Sequence, residues 1–331
     1  MATTRRIVGW TTVFAGVTMF LLGLVTLICI ASPAHAADKL IVGKAANAWT
    51  FIPVNVGVEV GTFAAQGVEV EIVNLASDAK LQQALVAGSV DIGVIGGPTM
   101  AQSVRGSPVL AVAAFAREPR NMAIITVADS PIRQVADLKG KLLGVPGTAS
   151  LTEWMARRVA LVEGWGKDGV RTVSLGGFDA NLAALKTKQT DAMVTATEIG
   201  YMLEARGEGR IVTVLGAYAP QFHAHVIVAR NQVVAEHPDS VARFLKGYFD
   251  AIAFMKKNKA KTTEIAMGLL KLDEAVMNRA YDEEIGMLQD DGHFDRQAVD
   301  VLKQSFVDMG LLPDIPRDDQ ILTTRYEPMR P

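Results

Sequence analysis

Residues 74–99, NLASDAKLQQALVAGSVDIGVIGGPT, constrain the fold more than any other stretch, because they spell a strand end, a helix and a second strand without a break. Leu81, Leu85 and Val86 recur at helical spacing behind Asp78, which is read as the N-cap, and Gly88 stands where a left-handed residue stops a helix. Residues 90–95 then run apolar as a buried strand does, and Gly96-Gly97-Pro98 ends it ahead of Thr99. In an open parallel sheet, ligands sit beyond the carboxyl ends of the strands. Asp78 and Thr99 are therefore expected at one crevice, with Ser77 and Gly97 beside them.

A shorter copy, DANLAALKTKQTDAMVTATE, begins at Asp179. When the two Asp-Ala pairs are superposed, Leu182 falls on Leu81 and Asp191 lands one position short of Asp91. Two helix-strand units in the same order imply two lobes of like architecture facing each other across a cleft.

The amino terminus reads as an export signal. Arg5 and Arg6 precede an apolar run over 13–30, and Ala34-His35-Ala36 supplies a cleavage site, so that 1–36 is a signal peptide. The rival reading is an uncleaved membrane anchor, since about 18 apolar residues just span a bilayer. Cys29 is the only cysteine, so a cleaved chain has neither disulfides nor thiolate chemistry. Without Arg5 and Arg6, 31 basic residues face 35 acidic ones, a formal charge of −4 with no basic surface for nucleic acid.

Each strand exit offers candidate contacts. After strand 40–45 come Asn47, Trp49 and Thr50, where Trp49 covers a planar ligand or packs on its own helix, and Asn47 and Thr50 donate hydrogen bonds. Strand 142–145 leads into Gly147, Thr148 and Ser150 ahead of a helix over 151–163. A glycine there allows close backbone approach and the helix N-terminus offers free N–H groups, which makes this the strongest anion or carbonyl site in the sequence. An ordinary N-cap by Thr148 or Ser150 fits the same pattern. The exit of strand 170–175 carries Phe178, Asp179 and Asn181, with Phe178 closing the cleft opposite Trp49. Glu198, at the last exit, pairs with a cationic ligand group or caps the next helix. His223 and His225 share one strand face, yet no third ligand stands near them, so a hydrogen bond from His223 in the cleft or hinge is preferred to a metal. No metal or other cofactor is expected, and GxSxG, HExxH and P-loop motifs are absent from the sequence.

Ser77, Leu81, Ala84-Leu85, Gly88, Asp91, Gly93, Gly96 and Pro98, followed by Asp137-Leu138-Lys139-Gly140-Lys141, Gly144-Val145-Pro146-Gly147-Thr148 and Met309-Gly310-Leu311-Leu312, form a pattern. It resembles the solute-binding proteins of ABC importers for nitrate, sulfonates, taurine and thiamine precursors. The resemblance implies an α/β chain of the type II periplasmic binding protein fold, two doubly wound lobes joined by a two-crossing hinge. Lobe one would be 38–118 plus 224–331, and lobe two 119–223. It also implies a monomeric periplasmic receptor that hands a small molecule to an ABC permease in the inner membrane. The alternatives are a TRAP-type receptor, a sensor module, or a thiamine-pyrimidine synthase on the same fold, although that enzyme's cysteine-rich motif is missing here.

Overall fold

Two five-stranded sheets organise the computed structural model, which describes residues 38–327. The expected signal segment 1–36 lies outside the described residues. Strands β1 (Asp38–Lys44), β2 (Val68–Asn74), β3 (Ile92–Gly96), β4 (Val109–Ala116) and the late β10 (His225–Arg230) form the first sheet, in the order β2-β1-β3-β10-β4. Strands β5 (Met122–Val127), β6 (Leu142–Val145), β7 (Arg171–Ser174), β8 (Ala192–Ala196) and β9 (Gly209–Val214) form the second, ordered β7-β6-β8-β5-β9. In each sheet four strands run in one direction, and the remaining one, β10 or β5, lies antiparallel between the third and the edge strand. β3 is buried along its whole length, as its unbroken apolar run requires of a strand covered on both faces.

The internal repeat is real, but its register differs from the superposition of Asp-Ala pairs. Ser77 is the N-cap of helix Asp78–Ala87, accepting from the Lys80 amide, and Gly177 is the N-cap of helix Phe178–Lys186. Leu81 packs against Gly43 of β1, and Asn181 packs against Gly144 of β6. Asp91 accepts from the Ile41 amide at 3.0 Å, and Asp191 accepts from the Leu142 amide at 2.8 Å, so each aspartate ties its third strand to its first. The counterpart of Asp78 is thus Phe178, and that of Leu81 is Asn181. Asp78 is not an N-cap either: as the first helical residue, its carboxylate is free to reach elsewhere.

Between β1 and β2 run two short helices, Pro53–Glu59 and Thr62–Ala65, separated because Gly61 takes φ 80° between them. The 137–141 segment contributes only the end of a 3₁₀ turn, Val135–Leu138. After β10 the chain is helical. Helix Pro238–Lys257 buries Val241, Phe244, Leu245, Tyr248, Phe249, Ile252 and Met255, and Phe244 stacks on Phe63 with centroids 5.1 Å apart. Helices Lys259–Leu270, Glu274–Glu284 and Arg296–Asp308 follow.

The chain passes between the sheets twice, after β4 and again before β10. The two connections touch: the Ala224 amide donates to the Arg117 carbonyl at 3.1 Å, and the Gly97 amide donates to the Ala224 carbonyl at 2.8 Å. Gly97 permits this approach, because a Cβ there would lie 2.0 Å from the His223 carbonyl oxygen. No helix among the described residues is long and apolar enough to cross a membrane.

Candidate functional site

Where the carboxyl ends of the two sets of parallel strands face each other, direct contacts join the halves at two points. The first is built by Asp78. Its Oδ1 accepts from the Gly96 amide at 3.1 Å, at the end of β3, and its Oδ2 accepts from the Leu151 amide at 2.9 Å, in the first turn of helix Leu151–Val162 on the opposite half. Burial pushes the Asp78 carboxyl up, while the two N–H groups and the helix dipole favour its anion. Ser77 and Ala79 lie within 3.5 Å of where a side chain on Gly147 would begin. Ser150 caps the helix, accepting from the Glu153 amide at 3.3 Å and donating to the Gly147 carbonyl at 2.6 Å. The Glu153 carboxylate accepts from the Ala149 amide at 2.6 Å. The helix N-terminus singled out as an anion site therefore directs its Leu151 and Ala149 amides at the protein's own carboxylates.

At the second point Glu198, near the start of helix Thr197–Ala205, accepts from the backbone amide of Trp49 at 2.8 Å. Its neighbour Thr197 donates to Glu284, at the end of helix Glu274–Glu284. Both carboxyls are fully buried. Burial raises Glu198, and it raises Glu284 well above the usual range, with the Glu198 charge pushing Glu284 further. Trp49 is completely buried and meets Tyr281 edge-on, with centroids 6.2 Å apart. Glu198 Oε2, Glu284 Oε2, the Trp49 indole N–H and the Thr50 hydroxyl find no hydrogen-bond partner among the described residues. Outside this buried group, Arg279 lies 3.8 Å over the Tyr201 ring and pairs with Glu204 and Glu283, while Tyr201 donates to Glu283.

The remaining sequence candidates disperse. Asn47 is exposed and donates to the Leu269 carbonyl at 3.2 Å; Thr148 and Asp179 face solvent. Asn181 turns into its own half, donating to the Gly176 and Gly177 carbonyls. Thr99 donates to the Gly96 carbonyl at 2.6 Å. Phe178 is half-buried at the position matching Asp78, whereas Trp49 meets Tyr281. Glu198 does not cap its helix: Ala196 is the N-cap position. His223 packs edge-on to Phe294, and burial holds it neutral, with its pKa lowered to about 4. His225 lies between Phe51 and Phe115, where burial takes it to about 3.

Two residues escaped the sequence reading although a signal existed. Glu284 stands on the stripe Met277, Ala280, Tyr281, Glu284, an acid at an apolar helical position. Lys44 stands at a core position of β1: the strand registers match it to Val145 of β6. It is completely buried and donates to the Asn55 side chain at 2.5 Å.

Two like sheets that exchange a strand and are joined by two crossings define the two-lobed α/β architecture of the type II periplasmic binding protein fold. Residues 49–262 match the family model described as NMT1/THI5 like, and the chain belongs to that family. A Brucella abortus protein named as a binding protein is 27% identical over 238 residues, covering 71% of this chain and 72% of its own. Among solved structures, the alkanesulfonate-binding protein SsuA from Xanthomonas axonopodis pv. citri, bound to MOPS, superposes with a TM-score of 0.74 at 18% identity, over 86% of this chain and 96% of that one. The desulfurization enzyme DSZB shares the fold as well, with a TM-score of 0.62 at 16% identity over 87% and 97% of the two chains.

Proposed function

We propose that this solute-binding protein is the exported, monomeric receptor of an ABC importer, closing its two lobes around a small solute and presenting the closed form to the permease. The lobes divide as 38–118 plus 224–331 and 119–223, with the paired connections as the hinge. One observation carries the reading. The contact between the halves buries polar atoms that the protein leaves unpaired, namely Glu198 Oε2, Glu284 Oε2, the Trp49 indole N–H and the Thr50 hydroxyl. An unmet buried polar group costs about 1–3 kcal/mol, which a solute with complementary groups would recover on closure. Ligand contacts from both lobes would then shift the population toward the closed state.

The two carboxyls favour a solute that offers nitrogen-bound protons, as a thiamine precursor or the amine end of taurine would. The bound MOPS of the Xanthomonas neighbour and the sulfonate and nitrate receptors of the sequence resemblance point instead to an anion. For that reading to hold, the solute would have to displace Asp78 or Glu153 from the helix at Ser150. Binding without catalysis is proposed: Glu198 is held by the Trp49 backbone amide and Glu284 by the Thr197 hydroxyl, bonds that fix both carboxyls in place.

Native mass spectrometry of the purified protein, followed by a thermal-shift panel of sulfonates, inorganic anions, thiamine precursors and aromatic acids, tests the assignment. A co-purifying mass, or stabilisation by one class that Glu198→Gln abolishes, is expected, since a ligand of the native state raises the midpoint. Silence across the panel would count against an import receptor and favour a sensor role for the same fold.

A further inference from the structure

The second contact sets two buried carboxyls from opposite halves against each other, with no basic partner among the described residues. Glu198 is held by the Trp49 amide and Glu284 by the Thr197 hydroxyl, and each keeps one oxygen bare. The charged groups on the surrounding elements are committed elsewhere. Arg279 serves Glu204 and Glu283 at the surface. Lys259 lies 5.5 Å over the Tyr281 ring and binds Asp282 at 2.6 Å. Arg210, on the strand packed against helix Thr197–Ala205, donates to the Ser130 and Ile132 carbonyls. Lys261 pairs with Glu264. The Trp49–Phe51 turn, β5 and β8 carry no charged side chain. Tyr201, Tyr281, Glu204, Glu274 and Glu283 complete the titratable set on the two helices, and none of them can neutralise a carboxylate near neutral pH.

Two ionised carboxylates cannot share such a site, whereas in the open form both would be hydrated and independent. We infer that the closed cleft holds a proton on the Glu198–Glu284 pair, so that hinge closure takes up a proton and opening releases it. The inference rests on the proposed hinge and concerns the protein without solute. The proton comes from solvent and sits on the bare oxygens, bridging the pair or neutralising one member. The sign follows from the raised pair: closure is unimpeded below the ordinary glutamate range and is opposed increasingly as pH rises through the range of the closed form. A single proton makes the closing equilibrium fall by up to tenfold per pH unit within that window. A cationic nitrogen from a solute would do the proton's work, and such a solute would expel the proton as it binds.

The test follows the ligand-free full-length chain between about pH 5 and about pH 8 by small-angle scattering and by hydrogen exchange at the Trp49 and Leu151 amides, corrected for intrinsic exchange. Expected is a more compact particle with stronger protection at the acid end, and a flattened profile in both Glu284→Gln and Glu198→Gln. Asp78 is also raised by burial and leaves a residual slope that neither variant removes. Each substitution keeps the side-chain shape, and a purely structural role would shift stability without changing the pH profile. A wild-type chain equally compact and equally protected at both ends would overturn the inference, as would glutamine variants that keep the full slope. Because no solute is added, a failed thermal-shift panel and a failed proton linkage remain separate results.

Discussion

Lys44 shows how one residue departs from the rule that shaped its neighbours. The matching position in the other sheet holds Val145, a core residue, yet here an ammonium is buried with amide oxygens for partners, Asn55 at 2.5 Å and Asn47 at 3.5 Å. Burial lowers its pKa from 10.5 to about 8. The unfolded chain therefore holds this proton more firmly, the cost is present in full below about pH 8, and stability should rise from there toward pH 10.5. The ceiling is on the order of 3 kcal/mol. Urea titrations at several pH values check this by difference: Lys44→Met should be more stable than wild type at neutral pH, and the advantage should shrink toward pH 10. A constant difference would mean that the lysine is not paying a charge penalty. Asp78 behaves in the opposite sense, since both its oxygens are used. Asp78→Asn leaves one of the Gly96 and Leu151 amides facing an NH₂ group, and should cost about 1–3 kcal/mol in the same titration. If the loss is confined to the lobe contact, exchange at the Leu151 amide will quicken more than exchange in β3.

At the scale of elements, the sequence was most legible where local rules decide. The apolar run of β3 and the Gly88 stop follow from periodicity and end signals, and the structure contains both. The repeat was visible too, yet its register was read off by one residue. Asp-Ala is a chance likeness, whereas what recurs physically is an N-cap, a helix face against a glycine of the first strand, and an aspartate on that strand's amide. The exchange of β5 and β10 between the sheets depends on pairing across long separations, which no local window records. The candidate site was legible as a set of strand exits, but not side chain by side chain. Trp49 and Glu198 meet, while Glu284 arrives from a helix far along the chain. Gly97 carries the element-level prediction. With the His223 carbonyl 2.0 Å from a would-be Cβ, Gly97→Ala forces the return connection to move. We expect a loss of about 1–3 kcal/mol or more, measured as a lowered denaturation midpoint, together with altered hinge behaviour. Alanine tolerated without change in either would show that the two connections are not held in register by this contact.

For the molecule as a whole, closure must be firm enough to trap a solute and weak enough to release it. The buried Glu198–Trp49 and Asp78–Leu151 bonds supply geometry, but burial penalties offset much of their gain. The surface cluster of Arg279, Tyr201, Glu204 and Glu283 is a different kind of fastening. Its Arg279–Glu204 ion pair joins the halves at 3.1 Å between roughly half-exposed side chains and contributes at most about 1 kcal/mol, the stacking of Arg279 on Tyr201 adds about 0.5–1 kcal/mol, and the Arg279–Glu283 pair at 3.0 Å lies within one helix and does not fasten the cleft. Arg279→Ala should therefore release about 1–2 kcal/mol of closing free energy, a change of about 5- to 30-fold in the open population. Hydrogen exchange reads this directly, because the Trp49 and Leu151 amides donate across the cleft whereas the amides of β3 lie within one sheet. Exchange at Trp49 and Leu151 should accelerate by that factor with β3 unchanged, and added salt should reproduce part of the effect in the wild-type chain. Acceleration in all three places would show a general loss of stability, and no acceleration at Trp49 would remove the cluster from the forces that hold the cleft shut.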